Sequence, residues 1–333
     1  MSAKKILIIR FSSIGDIVLT SPVVRCLKAQ LQDVEIHYLT KKAFSSILEA
    51  NPNIDRVFAI DKEENSLKTV VKTLKKEQYN IIVDLHSNLR SRYVRYKLGI
   101  KAMVFDKINF QKWLLVNFKR DKMPNVHIVD RYLDAVKPLR IQNDHQGLDY
   151  HIPILDYMVP QHLDARLRSG HFLVFVIGAA HATKRMPPEK IKAVCQLLPH
   201  EMIVLIGGKG DVEASKIVQE AGHHIVNTCG QLNLHQSASI VDQARVVVAH
   251  DTGFMHIAAA LKRPIVSIWG NTVPKFGMYP YLPPTGPSYT IVENKTLACR
   301  PCSKIGYESC PKGHFKCMEA INPQEIVNSL TSF

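Results

Sequence analysis

Nine short runs of apolar, largely β-branched residues limit what this chain can fold into more than any other feature. Four lie early, at residues 4–10 (KKILIIR), 34–40, 56–61 and 80–85, and five lie late, at residues 172–178 (FLVFVIG), 202–207, 224–227, 245–249 and 264–269. Each has strand length, is apolar at consecutive rather than alternating positions, and is followed by a segment of helical periodicity. Strands that alternate with helices are joined by crossovers, so each series predicts a parallel sheet covered on both faces. Between them, over residues 141–168, the periodicity fades and Pro153 and Pro160 appear, which predicts a domain boundary near 150–165. The expected division is a first domain at 1–155, a second at 165–318 and a closing helix within 319–333.

In open parallel sheets ligands bind beyond the carboxyl ends of the strands, and the chemically suggestive motifs all fall there. They are SSIGD at 12–16, AAHATKR at 179–185, GGKGD at 207–211 and HDTG at 250–253. The first is a strand, a glycine-bearing loop and a helix start of Rossmann type, without the G-x-G-x-x-G of a dinucleotide site, so a dehydrogenase is disfavoured. Asp16 opens the predicted helix 16–31, where it is also a natural N-cap, and Pro22 kinks or tightens that helix. At Asp251, Thr252 and Gly253 the chain turns from strand into helix, where unpaired N–H groups and the helix dipole favour a phosphate. His256, four residues after Thr252, shares that face and is placed to donate to the same oxyanion. The alternative at this turn is capping by Asp251 with a packed histidine. Lys184, ahead of Pro187 and Pro188, places a point charge suited to a diphosphate. Gly207, Gly208 and Gly210 bring backbone near a ligand, and Asp211 or Glu213 is placed to accept from ribose hydroxyls.

The 333 residues are 46% hydrophobic and carry a formal charge of +14, with 26 Lys/Arg against 16 Asp/Glu in residues 1–150. That composition is globular, and no apolar run reaches the roughly 18 residues of a membrane span. The N-terminal apolar stretch is interrupted by Arg10 and Asp16 and reads as a strand, not a signal peptide, so a cytoplasmic location is expected. From Arg90 to Lys122, ten basic residues interleave with six aromatic ones. Such a surface suits lipid headgroups and an anionic sugar, or a nucleic acid, but no nucleic-acid-binding signature accompanies it. Of seven cysteines, Cys26, Cys195 and Cys229 read as buried small hydrophobes, while Cys299, Cys302, Cys310 and Cys317 form C-x2-C-x7-C-x6-C around His314. Structural zinc, disulfide pairing and reduced, packed thiols all remain open for these four, with zinc placed ahead of disulfides.

Three of these segments, IRFSSIGDIVLTSPVV, DTGFMHIAAAL and CRPCSKIGYESCPKGHFKCM, resemble in the same order glycosyltransferase family 9, the ADP-heptose:lipopolysaccharide heptosyltransferases. The resemblance runs from Ile6 to about Ile321. It implies the GT-B fold, α/β with two Rossmann-like domains whose parallel sheets face a central cleft, and a closing helix that crosses back to the first domain. It also implies Asp16 as the catalytic base and Lys184 as a donor-phosphate contact, with Met186 where the family more often has Trp. The expected reaction is inverting transfer of heptose from ADP-heptose to the anionic, lipid A-linked inner core, in the cytoplasm at the inner face of the membrane and without nucleic acid. Donor contacts are expected from Lys184, Asp211, Asp251, Thr252, Gly253 and His256, and acceptor contacts from Ser13, Gly15, Arg120 and Lys122. Lysine, histidine and a helix dipole cover the diphosphate charge and no D-x-D motif is present, so no cofactor is required. Another nucleotide sugar, an epimerase, or a non-catalytic membrane-surface or nucleic-acid binding protein on the same fold are the competing readings.

Overall fold

The structure, a computed structural model, describes residues 4–61 and 66–333. They form two compact units, Met1–Lys107 with Val126–His151, and Ile108–Asn125 with Ile152–Phe333. In the first, strands β1 (Lys4–Ile9), β2 (Val34–Lys41), β3 (Arg56–Ile60), β4 (Ile81–Asp84) and β5 (Ala102–Val104) pair in the order β3-β2-β1-β4-β5. All pairings are parallel, with Ile9 opposite Leu39 on one side and Asp84 on the other. The central place of β1 follows from its sequence: Ile6, Leu7, Ile8 and Ile9 are all fully buried, which only a strand covered on both faces permits.

In the second unit, β6 (Phe172–Val176), β7 (Met202–Ile206), β8 (Ile225–Asn227), β9 (Val246–His250), β10 (Ile265–Trp269) and β11 (Tyr289–Glu293) pair in the order β11-β10-β9-β6-β7-β8, again all parallel. Two Rossmann-like domains are therefore present, as the strand runs predict. The strands that sequence periodicity does not reveal, β5 and β11, are both at sheet edges. β5 is three residues long, and β11 buries fully only Val292, so neither needs a continuous apolar run.

Two helices differ from expectation. The stretch 16–31 is not one helix but two, Ile14–Val18 and Ser21–Gln30, with Pro22 in the first turn of the second. Thr20 Oγ1 and Ser21 Oγ donate to the carbonyls of Ile17 and Val18, both at 2.7 Å, and so satisfy the end of the first helix where proline cannot. The terminal helix Pro323–Leu330 belongs to the second unit. Ile326 and Leu330 join the core built by Ile191, Val194 and Ile268, each burial contributing about 1.5–3 kcal/mol.

Strand order reverses between β1 and β4 in the first sheet and between β6 and β9 in the second, and such reversals open a crevice at the carboxyl ends. The loop after β1 leads into the helix that carries Asp16, and the turn after β4 carries His86. The loops after β6 and β9 carry Lys184 and Asp251. Among the described residues no helix is long and apolar enough to cross a membrane.

Candidate active site

In the second unit the loop after β6 turns through a short 3-10 segment, Ala182–Lys184, which aims Lys184 at the neighbouring strand end. Lys184 Nζ lies 2.6 Å from Asp251 Oδ2, and both side chains are largely buried. Thr272 Oγ1 donates to the same oxygen at 2.7 Å. The helix Gly253–Ala260 begins beside this pair. Its N-cap is Thr252, not Asp251, and no side chain caps it. Thr252 Oγ1 is buried without a partner. Asp251 is thus taken up by Lys184 and Thr272, and the first N–H groups of the helix keep their capacity for an anion. His256 is 2% exposed on the same helix, one turn from its start. This corner brings together a largely buried ammonium, a helix N-terminus without a side-chain cap and an unpartnered hydroxyl.

The loop is braced from behind. His250 Nε2 accepts from the Met186 N–H at 3.0 Å, and burial, then Arg185, pulls the imidazole down to about 4, so it stays neutral. Asp211 serves its own turn. Its Oδ2 accepts from the Gly208 N–H at 2.8 Å, and Oδ1 faces Arg185 Nη1 at 3.5 Å. A Cβ on Gly178 would meet that carboxylate at 2.3 Å, so glycine is required for the close approach. Glu213, the other ribose candidate, is exposed and paired with Lys216 at 2.8 Å.

In the first unit Ser13 N-caps the helix that contains Asp16. The Ser13 N–H and Oγ donate to Asp16 Oδ2 at 3.0 and 2.8 Å, and Arg10 Nη2 meets Oδ1 at 2.7 Å. Arg10 is held in turn by donating to the carbonyls of Leu85 and Ser12 and to Tyr132 Oη. Burial acts to raise the Asp16 carboxyl, but Arg10 and the Ser13 bonds outweigh it and hold the group down at about 2. The N-cap expected of Asp16 is thus Ser13 instead, and Asp16, at the third helical position, closes the capping box as an ionised carboxylate near the carboxyl end of β1. Gly15 lies buried in the same turn.

Sequence reasoning missed two members of this corner. Arg10 was visible only as an interruption of the apolar run. His86 stacks its edge on Phe11, with centroids 5.1 Å apart, and burial, followed by Arg10 and Lys107, lowers it to about 3. Its Nδ1 is buried without a partner. Arg120 and Lys122, by contrast, are exposed on the segment Ile108–Asn125, which clusters with the second unit, so they are not grouped with Ser13, Gly15 and Asp16. The ties that place this segment are distant in sequence. Lys119 Nζ donates to the carbonyls of Cys299 and Pro301, and Asp121 pairs with Lys275.

Residues 67–311 match the family described as glycosyltransferase family 9 (heptosyltransferase). The chain belongs to that family. Lipopolysaccharide heptosyltransferase 1 of Campylobacter coli is 26% identical over 80% of this chain and 84% of that protein. Lipopolysaccharide heptosyltransferase 1 of Pseudomonas aeruginosa is 24% identical over 98% and 97%. The solved family 9 glycosyltransferase from Veillonella parvula superposes with a TM-score of 0.79 at 21% identity, covering 100% of this chain and 97% of that one. The E. coli heptosyltransferase WaaC with ADP gives 0.70 at 20%, covering 98% and 99%. The family 9 enzyme described here thus has the GT-B fold of its relatives, and a glycosyltransferase replaces the epimerase and binding-protein alternatives.

Proposed function

We propose that this family 9 glycosyltransferase moves heptose from ADP-heptose, with inversion, to the lipid A-linked inner core of lipopolysaccharide. The observation that carries the donor half is the buried Lys184–Asp251 pair beside the uncapped helix Gly253–Ala260. As the glycosidic bond breaks, negative charge grows on the departing diphosphate. Lys184, the helix N–H groups and His256 meet that charge where solvent is scarce. Asp251 holds the ammonium in place before donor binds, so little reorganisation is left for the chemical step. These groups absorb the charge without a divalent ion, and we expect turnover without added magnesium.

On the acceptor side Asp16 accepts the hydroxyl proton as the new bond forms, with Ser13 and Gly15 shaping the turn around it. A carboxylate held near 2 is a weak base. It suits a reaction in which the leaving group departs ahead of attack and the hydroxyl becomes acidic only late. Loosening of the Arg10 pair as the proton arrives is then part of the step.

For the lipid-linked acceptor we assign the membrane face to the helix Asn109–Phe118 and the residues that follow. Phe110, Trp113 and Phe118 are 66%, 44% and 57% exposed and contact one another edge to face or stacked. Arg120 and Lys122 lie just beyond. Apolar rings with flanking cations fit the headgroup boundary of an anionic leaflet, which supports a peripheral location at the inner face of the cytoplasmic membrane. Calorimetry with ADP tests the donor half. Lys184→Ala is expected to weaken ADP binding roughly tenfold to a hundredfold, the scale of a charged hydrogen bond. Unchanged affinity would remove the diphosphate from this corner.

A further inference from the structure

A buried carboxylate holds the turn after β4. Asp84 is fully buried at the end of the strand, and its Oδ1 accepts the N–H groups of His86 and Ser87 at 3.0 and 2.7 Å. Arg95 Nε, from the helix Leu89–Leu98, lies 3.0 Å from the other oxygen. Ser87 sits at φ +48°, in the left-handed region that a residue with a Cβ adopts only at a cost. Beyond it, the Asn88 N–H donates to Ser91 Oγ and the Ser91 N–H to Asn88 Oδ1, both at 2.9 Å, which starts that helix. On the other side Leu85 is tied to β1. Its N–H donates to the Ile9 carbonyl at 3.1 Å, and its carbonyl accepts from Arg10 Nη1 at 2.6 Å. His86 is therefore fixed against the loop after β1, where its ring meets the buried Phe11 edge-on at an interplanar angle of 68°. Phe11 is held in turn, since its carbonyl accepts from the Lys41 N–H and from Thr40 Oγ1.

What this rigid turn presents is a polar ring with nothing bonded to it. Nδ1 is buried without a partner, and no hydrogen bond among the described residues takes up Nε2, the nitrogen on the open side of the half-buried ring. The charged groups that act on the imidazole come from four places in the fold: Arg10 after β1, Asp16 in the helix that follows, Lys41 at the end of β2 and Lys107 after β5. Burial first, then Arg10 and Lys107, outweigh Asp16 and keep the ring neutral. A neutral imidazole has one N–H and one lone pair. Among cations and with no acceptor at hand, the lone pair is the group that can be left at Nδ1, because a buried N–H there would lack a partner. The proton then sits on Nε2. The turn thus offers a single hydrogen-bond donor at the carboxyl end of the first sheet, beside Arg10 and Phe11.

We propose that His86 is an acceptor-binding residue, whose Nε2–H donates to a hydroxyl or carboxylate oxygen of the acidic saccharide and so turns the reacting hydroxyl towards Asp16. The assignment rests on the reading of Asp16 as the base. A neutral donor suits this place. Arg10, Lys41 and Lys107 attract an anionic ligand without regard to direction, whereas a hydrogen bond is directional and fixes which oxygen sits where. With its lone pair turned inward, His86 does not take the hydroxyl proton, which leaves that step to Asp16. The competing role is packing alone, a ring laid against Phe11, and a phenylalanine would fill it equally well.

Steady-state transfer from ADP-heptose to the lipid A-linked acceptor separates these roles, with circular dichroism and ADP calorimetry confirming that each variant folds. His86→Phe keeps a ring against Phe11 and removes the donor. It is expected to raise the acceptor KM about tenfold, the upper scale of one hydrogen bond, with the donor KM in place and kcat affected less than the acceptor KM. Glutamine has as many bonds between Cβ and its amide nitrogen as histidine has between Cβ and Nε2, and asparagine as many as histidine has to Nδ1. His86→Gln should therefore restore most of the acceptor KM, and His86→Asn should not. The ratio of acceptor KM between His86→Phe and wild type should stay constant from about pH 8 to about pH 5, since the ring is neutral throughout. An unchanged acceptor KM in folded His86→Phe overturns the assignment and leaves a packing ring. A ratio that climbs as pH falls through about 6.5 overturns the neutral donor. A kcat reduced about 10²-fold in both the phenylalanine and the glutamine variants would make His86 the base and overturn its binding role. A wild-type chain that transfers no heptose refutes the functional reading itself and the assignment with it, whereas wild-type transfer with an indifferent His86→Phe refutes the assignment alone.

Discussion

The Asp16 carboxylate closes the capping box of its helix and, in the proposed reaction, takes the acceptor proton, and its neighbours decide which of the two a mutation exposes. Asp16→Asn keeps an oxygen for the Ser13 donors but loses both the charge facing Arg10 and the ability to take a proton. We expect turnover to fall by about 10²-fold or more with ADP affinity retained. Activity per folded molecule that stays intact would reduce Asp16 to a cap. The same residue shapes acid stability. Its folded pKa lies below the ordinary carboxylate value, so its stabilisation is complete above about pH 4 and disappears as pH falls towards 2, an effect on the order of 2 kcal/mol. His86 and His250 act in an earlier window. His250 is buried and His86 half-buried, and both are held neutral, at about 4 and about 3, whereas the unfolded chain protonates them near the ordinary histidine value. Stability should therefore already decline from pH 7 towards pH 4 and decline further below. Urea unfolding across that range checks the order, and His86→Phe should flatten the upper part. Arg10 and His86 show why this corner was only half legible in the sequence: a strand interrupted by arginine and a histidine after the fourth strand carry no motif, and only the β1-β4 pairing makes them neighbours.

At the scale of elements, the strands were legible because burial on both faces writes itself as consecutive apolar residues. What escaped the sequence was short, edge-bound or broken, as with β5, β11 and the helix divided at Thr20. The turn at Asp251 shows a different limit. Aspartate before a helix reads as a cap, yet here Lys184 and Thr272 claim its carboxylate and leave the cap position to Thr252. Asp251→Asn is therefore expected to weaken ADP binding with little loss of helix content, because it frees Lys184 without uncapping Gly253–Ala260. Melting of the protein with ADP affinity preserved would restore the capping role. The helix Asn109–Phe118 yields the membrane prediction. Replacing Phe110, Trp113 and Phe118 by serine, or neutralising Arg120 and Lys122, should reduce binding to anionic vesicles, the latter by roughly 1 kcal/mol per charge and in a way that added salt reproduces. Vesicle binding that ignores both changes would assign this helix to another task.

In the proposed reaction the donor corner of the second unit serves the nucleotide sugar, and the basic surplus of residues 1–150, part of it in the segment Ile108–Asn125 of that same unit, serves the anionic acceptor. The fold and the family were legible because two βα series and three ordered motifs constrain nearly the full length. The division at residue 155 was less so, since the segment Ile108–Asn125 is tied to the cysteine-rich segment by Lys119 through contacts distant in sequence. The most direct test incubates the purified chain with ADP-heptose and a lipid A-linked inner-core acceptor, then follows product mass and anomeric configuration by mass spectrometry and NMR. The account requires an acceptor heavier by one heptose, inverted at the anomeric carbon, with ADP released in equal amount and the yield lost in Asp16→Asn. An unmodified acceptor, together with turnover of a different nucleotide sugar by the same chain, would contradict it.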